Sequence, residues 1–92
     1  MYEVIRDEQN NIVGTIDEET FRMRARSALH PKGWSLPNWV IEKLRANNVT
    51  KLHVYDSDMG RTYNTSLDSF MSNCSTEETK RGKVFTLAMR FW

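Results

Sequence analysis

Ninety-two residues suffice for one domain and are too few for two. Hydrophobic residues make up 39% of the chain and charged residues 27%, a balance that belongs to globular domains and excludes a disordered or low-complexity segment. The formal net charge is +1, so the chain is neither a polycation nor an acidic tail, and any electrostatic function has to come from uneven placement of charge.

Residues 2–5 alternate, with Tyr2 and Val4 against Glu3 and Ile5 following, and predict a first strand. Residues 7–11 are polar and end in Asn10-Asn11; asparagine tolerates the left-handed conformation that tight turns need. Residues 12–16 then read as the second strand of a hairpin, with Gly14 inside it. The next segment carries two signals. Asp17-Glu18-Glu19-Thr20 resembles a helix start, a capping residue with acids behind it. Immediately afterwards Phe21, Met23 and Ala25 alternate strictly with Arg22, Arg24 and Arg26. A period of two predicts a strand with an apolar face and an arginine face, whereas a helix would scatter the arginines around its circumference. The alternation is the stronger signal.

His30-Pro31-Lys32-Gly33 predicts a loop. Pro37 holds Leu36 extended and suits the opening of a helix. Val40, Ile41 and Leu44 stand at helical spacing with Glu42, Lys43 and Arg45 outward, which predicts a helix over 37–47 closed by Asn47-Asn48. Residues 51–55 alternate again, with Leu52 and Val54 on one face; 56–60 form a turn with Gly60 available for positive φ, and 61–65 return as the partner strand. Ser66 is placed to cap a short helix over 67–72, where Leu67, Phe70 and Met71 share a face. Residues 75–83 are polar and predict a mobile loop. Residues 84–92 predict the last strand, with Phe85, Leu87, Met89 and Phe91 on one face and a mixed set on the other. The fold class that follows is α+β: one compact domain over 1–92, built on a small, mostly antiparallel sheet of about five strands with one main helix and one short helix.

Cys74 is the single cysteine, so no intramolecular disulfide can form, and a secreted disulfide scaffold is excluded. The N-terminal MYEVIRDEQN carries charges where a signal peptide would have its apolar stretch. The longest mostly apolar run, 84–89, is far too short to span a bilayer. The expectation is a cytoplasmic protein with no membrane partner.

Constellations that carry chemistry are thin. Residues 56–60 (Asp-Ser-Asp-Met-Gly) open like a calcium loop, but the pattern fails at Gly60 and again at Leu67, where a bidentate acid is required; a hairpin turn accounts for the same residues. Cys74, His30 and His53 are too few for a zinc site and show no local signature of a nucleophile with its base. Four scattered glycines build no phosphate cradle. No catalytic residue, cofactor or metal is therefore expected.

One segment stands out. Between residues 20 and 41 lie Arg22, Arg24, Arg26 and Lys32, with His30 among them and no acid. Arginines two apart on a strand point the same way about 7 Å apart, close to the separation of successive phosphates, whose oxygens the guanidinium fork binds bidentately. Trp34 and Trp39 follow and, if exposed, would offer stacking surfaces. The leading expectation is a small, non-enzymatic accessory domain that contacts nucleic-acid phosphates through Arg22, Arg24 and Arg26, flanked by His30 and Lys32, with Trp34 stacking. A solvated strand face whose arginines pair with Glu18 and Glu19 explains the same residues without any ligand. Lys80-Arg81-Gly82-Lys83 is a second basic cluster, with Glu77-Glu78 close enough in sequence to neutralise it. The alternative function is a protein-interaction module (inhibitor, adaptor or homodimer subunit) that pairs through its last strand and the terminal Arg90, Phe91 and Trp92.

Overall fold

Alternating apolar side chains organise the N-terminal part of the chain. In the computed structural model, which describes residues 2–26, 34–80 and 82–87, Tyr2–Arg6 forms β1, Ile12–Asp17 forms β2 and Thr20–Ala25 forms β3. The turn between β1 and β2 places Asn10 at φ 66, the conformation asparagine tolerates. Asp7 holds that turn, its Oδ1 accepting the backbone N–H groups of Gln9 and Asn11, both at 2.9 Å. The second turn is tighter and puts Glu18 at φ 57. The acids around it start no helix; the period-two pattern that follows decides the conformation.

Trp34–Pro37 forms β4, a short strand that the sequence reading did not anticipate, because Pro37 reads only as a helix opener. It serves both elements: extended at φ −64 and ψ 152, it ends β4 and precedes α1, Asn38–Ala46. A proline is tolerated there because β4 is an edge strand. Val40, Ile41 and Leu44 are buried, as their helical spacing requires. Lys51–Asp56 (β5) and Arg61–Ser66 (β6) make the expected hairpin. Its turn uses Gly60 at φ 66 and the buried Asp56, whose Oδ1 accepts the N–H groups of Asp58 at 3.0 Å and Met59 at 3.1 Å. Ser66 then caps α2, Leu67–Asn73, accepting the Ser69 N–H at 3.0 Å.

Two corrections concern the C-terminal part. The segment read as a mobile loop contains β7, Cys74–Thr79, which turns back into β8, Gly82–Leu87. The turn uses Gly82 at φ 110, and the Thr79 hydroxyl donates to the Gly82 carbonyl at 2.9 Å. β7 is an edge strand in which Cys74 is half-buried and the residues after it are exposed, so no apolar alternation announced it. The last strand also belongs elsewhere: β8 lies between β4 and β7 in a separate three-stranded sheet. The main sheet has the order β1-β2-β3-β5-β6, with β3 and β5 parallel and its other neighbours antiparallel. The parallel pair needs a crossover, and α1 lies within it.

One core joins these layers. Ile5, Ile16, Phe21, Leu52 and Val54 on the inner face of the main sheet meet Val40, Ile41 and Leu44 of α1, Leu67 and Phe70 of α2, and Trp34, Leu36 and Leu87 of the second sheet. Gly14 sits where the Phe21 ring crosses β2: a Cβ there would run into that ring and come within 2.6 Å of the Arg22 carbonyl oxygen. Among the described residues no helix is long and apolar enough to cross a membrane.

Candidate functional site

With both helices and the second sheet in the core on one side, the opposite face of the main sheet carries no described helix or strand. Strand alternation sends Phe21, Met23 and Ala25 inward, so Thr20, Arg22 and Arg24 stand on the open face. Strand register then fixes their neighbours. A first row runs Tyr2, Asp17, Thr20, Lys51, Ser66 across β1, β2, β3, β5 and β6. A second runs Val4, Thr15, Arg22, His53, Asn64 across the same strands. A third joins Arg24, Tyr55 and Thr62. Asp17 is the carboxylate of these rows and lies in the first.

Local interactions set how each side chain is presented. Lys51 Nζ pairs with Glu19 Oε1 at 2.9 Å, and the hydrogen bond and charge of Lys51 hold the Glu19 carboxyl below its ordinary pKa. His53 Nδ1 lies 2.7 Å from Asn64 Oδ1. The Arg24 guanidinium stands over the Tyr55 ring, 5.3 Å from its centroid, and Tyr55 is 39% exposed. Arg22, Arg24 and Arg26 are exposed, and among the described residues no carboxylate lies within ion-pair distance of them. The pairing with Glu19 that would have neutralised the arginines goes to Lys51 instead.

Two shallow depressions follow from this relief. One, of about 430 Å³, is lined by Thr20, Arg22, Lys51, His53, Asn64 and Ser66. The other, of about 650 Å³, takes in Val13, Thr15, Arg24 and Tyr55 and shares Arg22 and His53 with the first. Together they make a continuous track over β3 and β5.

The structure therefore unites Arg22 and Arg24, with Arg26 exposed just past the end of β3. His30 and Lys32 lie outside the described residues, as do Arg90, Phe91 and Trp92. Trp34 is corrected: at 1% exposure it is core, its ring 5.5 Å from that of Tyr63 and tilted by 45°. β4 alternates, with Trp34 and Leu36 buried and Ser35 exposed, so no base can reach the Trp34 ring. Trp39 is 40% exposed, but it belongs to α1, on the covered side of the sheet, beside Arg6, Asp7 and Glu8.

Lys51, His53, Tyr55 and Asn64 also belong to this face, although the sequence alone does not single them out. Their signal was present, since Lys51, His53 and Tyr55 alternate with Leu52 and Val54; what it lacked was the parallel pairing that sets β5 beside β3. Cys74 is half-buried, its Sγ–H donates to the Met71 carbonyl at 3.4 Å, and burial pushes its pKa up, the opposite of what an activated thiolate needs. Among the described residues no group of three or more His, Cys, Asp or Glu is placed to hold a metal ion. No protein-family model, curated protein or solved structure matches this chain.

Proposed function

We propose that the open face of the main sheet binds single-stranded nucleic acid, with Arg22, Arg24 and Arg26 on the phosphates and Tyr55 and His53 as stacking surfaces. The observation that carries this reading is the position of Arg22 and Arg24: exposed on a sheet face that no described helix or strand covers, without a carboxylate partner among the described residues, and next in register to an imidazole and a phenol ring. A fixed cation with no acid beside it is available to a phosphate oxygen. Rings lying between such cations give bases a flat apolar surface, and base–aromatic stacking contributes roughly 1–3 kcal/mol per base with little sequence preference. A sheet face suits a single strand whose bases are splayed. Duplex recognition would need an element that enters a groove, and neither α1 nor α2 lies on this face.

The test is fluorescence anisotropy with labelled single- and double-stranded DNA and RNA at about 50 and 200 mM salt, the range over which phosphate contacts lose affinity. Three arginine contacts give a log–log salt slope of about −2 for a single strand, which is roughly a twentyfold loss of affinity over that range. Single strands should bind more tightly than duplexes of the same length. The joint replacement of Arg22, Arg24 and Arg26 by alanine should abolish the salt-sensitive part. No binding at the lower salt, or binding unchanged in a folded triple variant, overturns the reading.

A further inference from the structure

We infer that the depression between Arg22, Lys51, His53 and Asn64 is a base-selective subsite, one that takes a keto base (thymine, uracil or guanine) in preference to adenine or cytosine. The inference rests on the proposal that this face binds single strands, and it adds selectivity to a contact that is otherwise indifferent to sequence.

The size is right for one nucleotide unit. About 430 Å³ falls within the roughly 300–1,000 Å³ of ordinary small-ligand sites. Hydrogen-bond chemistry then decides which base fits. Asn64 Oδ1 can only accept, so its 2.7 Å contact with His53 Nδ1 is a hydrogen bond in the tautomer that carries the proton on Nδ1. That bond engages the Asn64 carbonyl and leaves its amide Nδ2, a donor, for a ligand. Ser66 is committed in the same sense. Its Oγ already accepts the Ser69 N–H at 3.0 Å, which leaves its O–H proton to give. Thr20 adds a hydroxyl and Arg22 adds guanidinium N–H groups. Lys51 is partly committed to Glu19 at 2.9 Å. The lining is therefore rich in donors.

A base matches such a lining when its edge is rich in acceptors. Thymine and uracil present carbonyl oxygens, and guanine presents O6 beside N7; adenine and cytosine each present an amino group that would meet donors head on. The His53 ring, fixed by its bond to Asn64 in the middle row of the face, supplies the stacking plane. Arg22 lines this depression and the neighbouring one, so the phosphate it would hold leads the strand along the arginine track.

The experiment compares labelled dT12, dA12 and dC12 at one fixed salt concentration, with the wild-type chain and with Asn64→Ala and Asn64→Asp. Asn64 is exposed on the edge strand β6, and Asn64→Asp keeps the side-chain shape while replacing the amide donor with an acceptor. Circular dichroism checks that both variants are folded. The wild type should prefer dT12 by about three- to tenfold, the range one or two net hydrogen bonds provide, and both variants should bring that ratio close to one. Equal binding of all three strands by the wild type overturns the subsite and leaves the platform standing. So does a thymine preference that survives in both variants, because strand flexibility rather than Asn64 would then set it. If none of the strands binds at low salt, the platform reading fails and the subsite fails with it.

Discussion

Arg22 and Lys51 line the same depression, yet they are not equivalent cations. Lys51 is paired at 2.9 Å with Glu19, and an exposed pair of this kind is screened by salt and contributes little to stability, while it lowers the charge the lysine can offer a ligand. Arg22 has no such partner among the described residues. Arg24 is intermediate: its place over Tyr55 adds a cation–π contact worth roughly 0.5–1 kcal/mol at an exposed site and keeps both groups on the open face. Beneath these side chains, Gly14 governs how closely β2 approaches β3. A methyl group at that position meets the Phe21 ring and lies 2.6 Å from the Arg22 carbonyl oxygen, and a backbone atom yields less readily than a side-chain tip. Gly14→Ala should therefore destabilise the fold by about 1–3 kcal/mol, the usual range for overfilling a packed core. Thermal unfolding followed by circular dichroism would show a melting temperature lower by roughly 4–8 °C per kcal/mol. An unchanged melting temperature would mean that β2 shifts freely, against the buried position of both Gly14 and Phe21.

Elements formed where a local cue and a burial pattern agreed. At the start of α2, Ser66 is the last residue of β6, paired with Lys51, and its oxygen takes the Ser69 N–H at 3.0 Å. With only seven residues, that helix has little propagation to offset its nucleation cost, so its cap matters in proportion. Ser66→Ala should cost about 1 kcal/mol, measured by chemical denaturation as a lower midpoint with an unchanged slope. Ser66→Asp, which keeps an acceptor there, should recover most of the loss. The same agreement made β1, β2, β3, α1 and β5 legible in the sequence, each burying one face on a period of two or 3.6, while β6, with no fully buried residue, was legible as the return strand after the Gly60 turn. β7 was illegible for the converse reason, since an edge strand with exposed side chains records no period. β4 is four residues long and ends at a proline, too short for its one alternation, Trp34 and Leu36 about Ser35, to announce a strand. The candidate site divides along the same line. Its arginine face was visible in β3 alone. His53, Tyr55 and Asn64 join it through strand order and register, which depend on how the crossover folds and not on any one strand's pattern. Trp34 misled because a tryptophan beside a basic stretch of sequence reads as a recognition ring, while the two-residue alternation with Leu36 is what buries it.

At the scale of the whole molecule, the open face is held in place by the apolar core gathered on the other side of the main sheet. The main sheet, α1, α2 and the second sheet contribute to one core cluster, and the Trp34–Tyr63 contact at 5.5 Å joins β4 of the small sheet to β6 of the large one. β6 also carries Asn64 and Ser66, so the part of the open face argued to select a base is backed by the junction between the two sheets. If the second sheet were an independent unit, it could loosen without disturbing the main sheet. A shared core of this size instead requires the layers to unfold together, as small single domains do. Denaturant titrations followed by far-UV circular dichroism, which reports the backbone of both sheets, and by near-UV circular dichroism, which reports the fixed aromatic rings, should give coincident transitions. Tyr63→Leu should lower both midpoints together, since it removes the ring that bridges the sheets while leaving an apolar side chain in place. Two separated transitions, or a near-UV change that precedes the far-UV one, would show that the small sheet docks as its own unit. In that case the face at Asn64 would owe its shape to the main sheet alone.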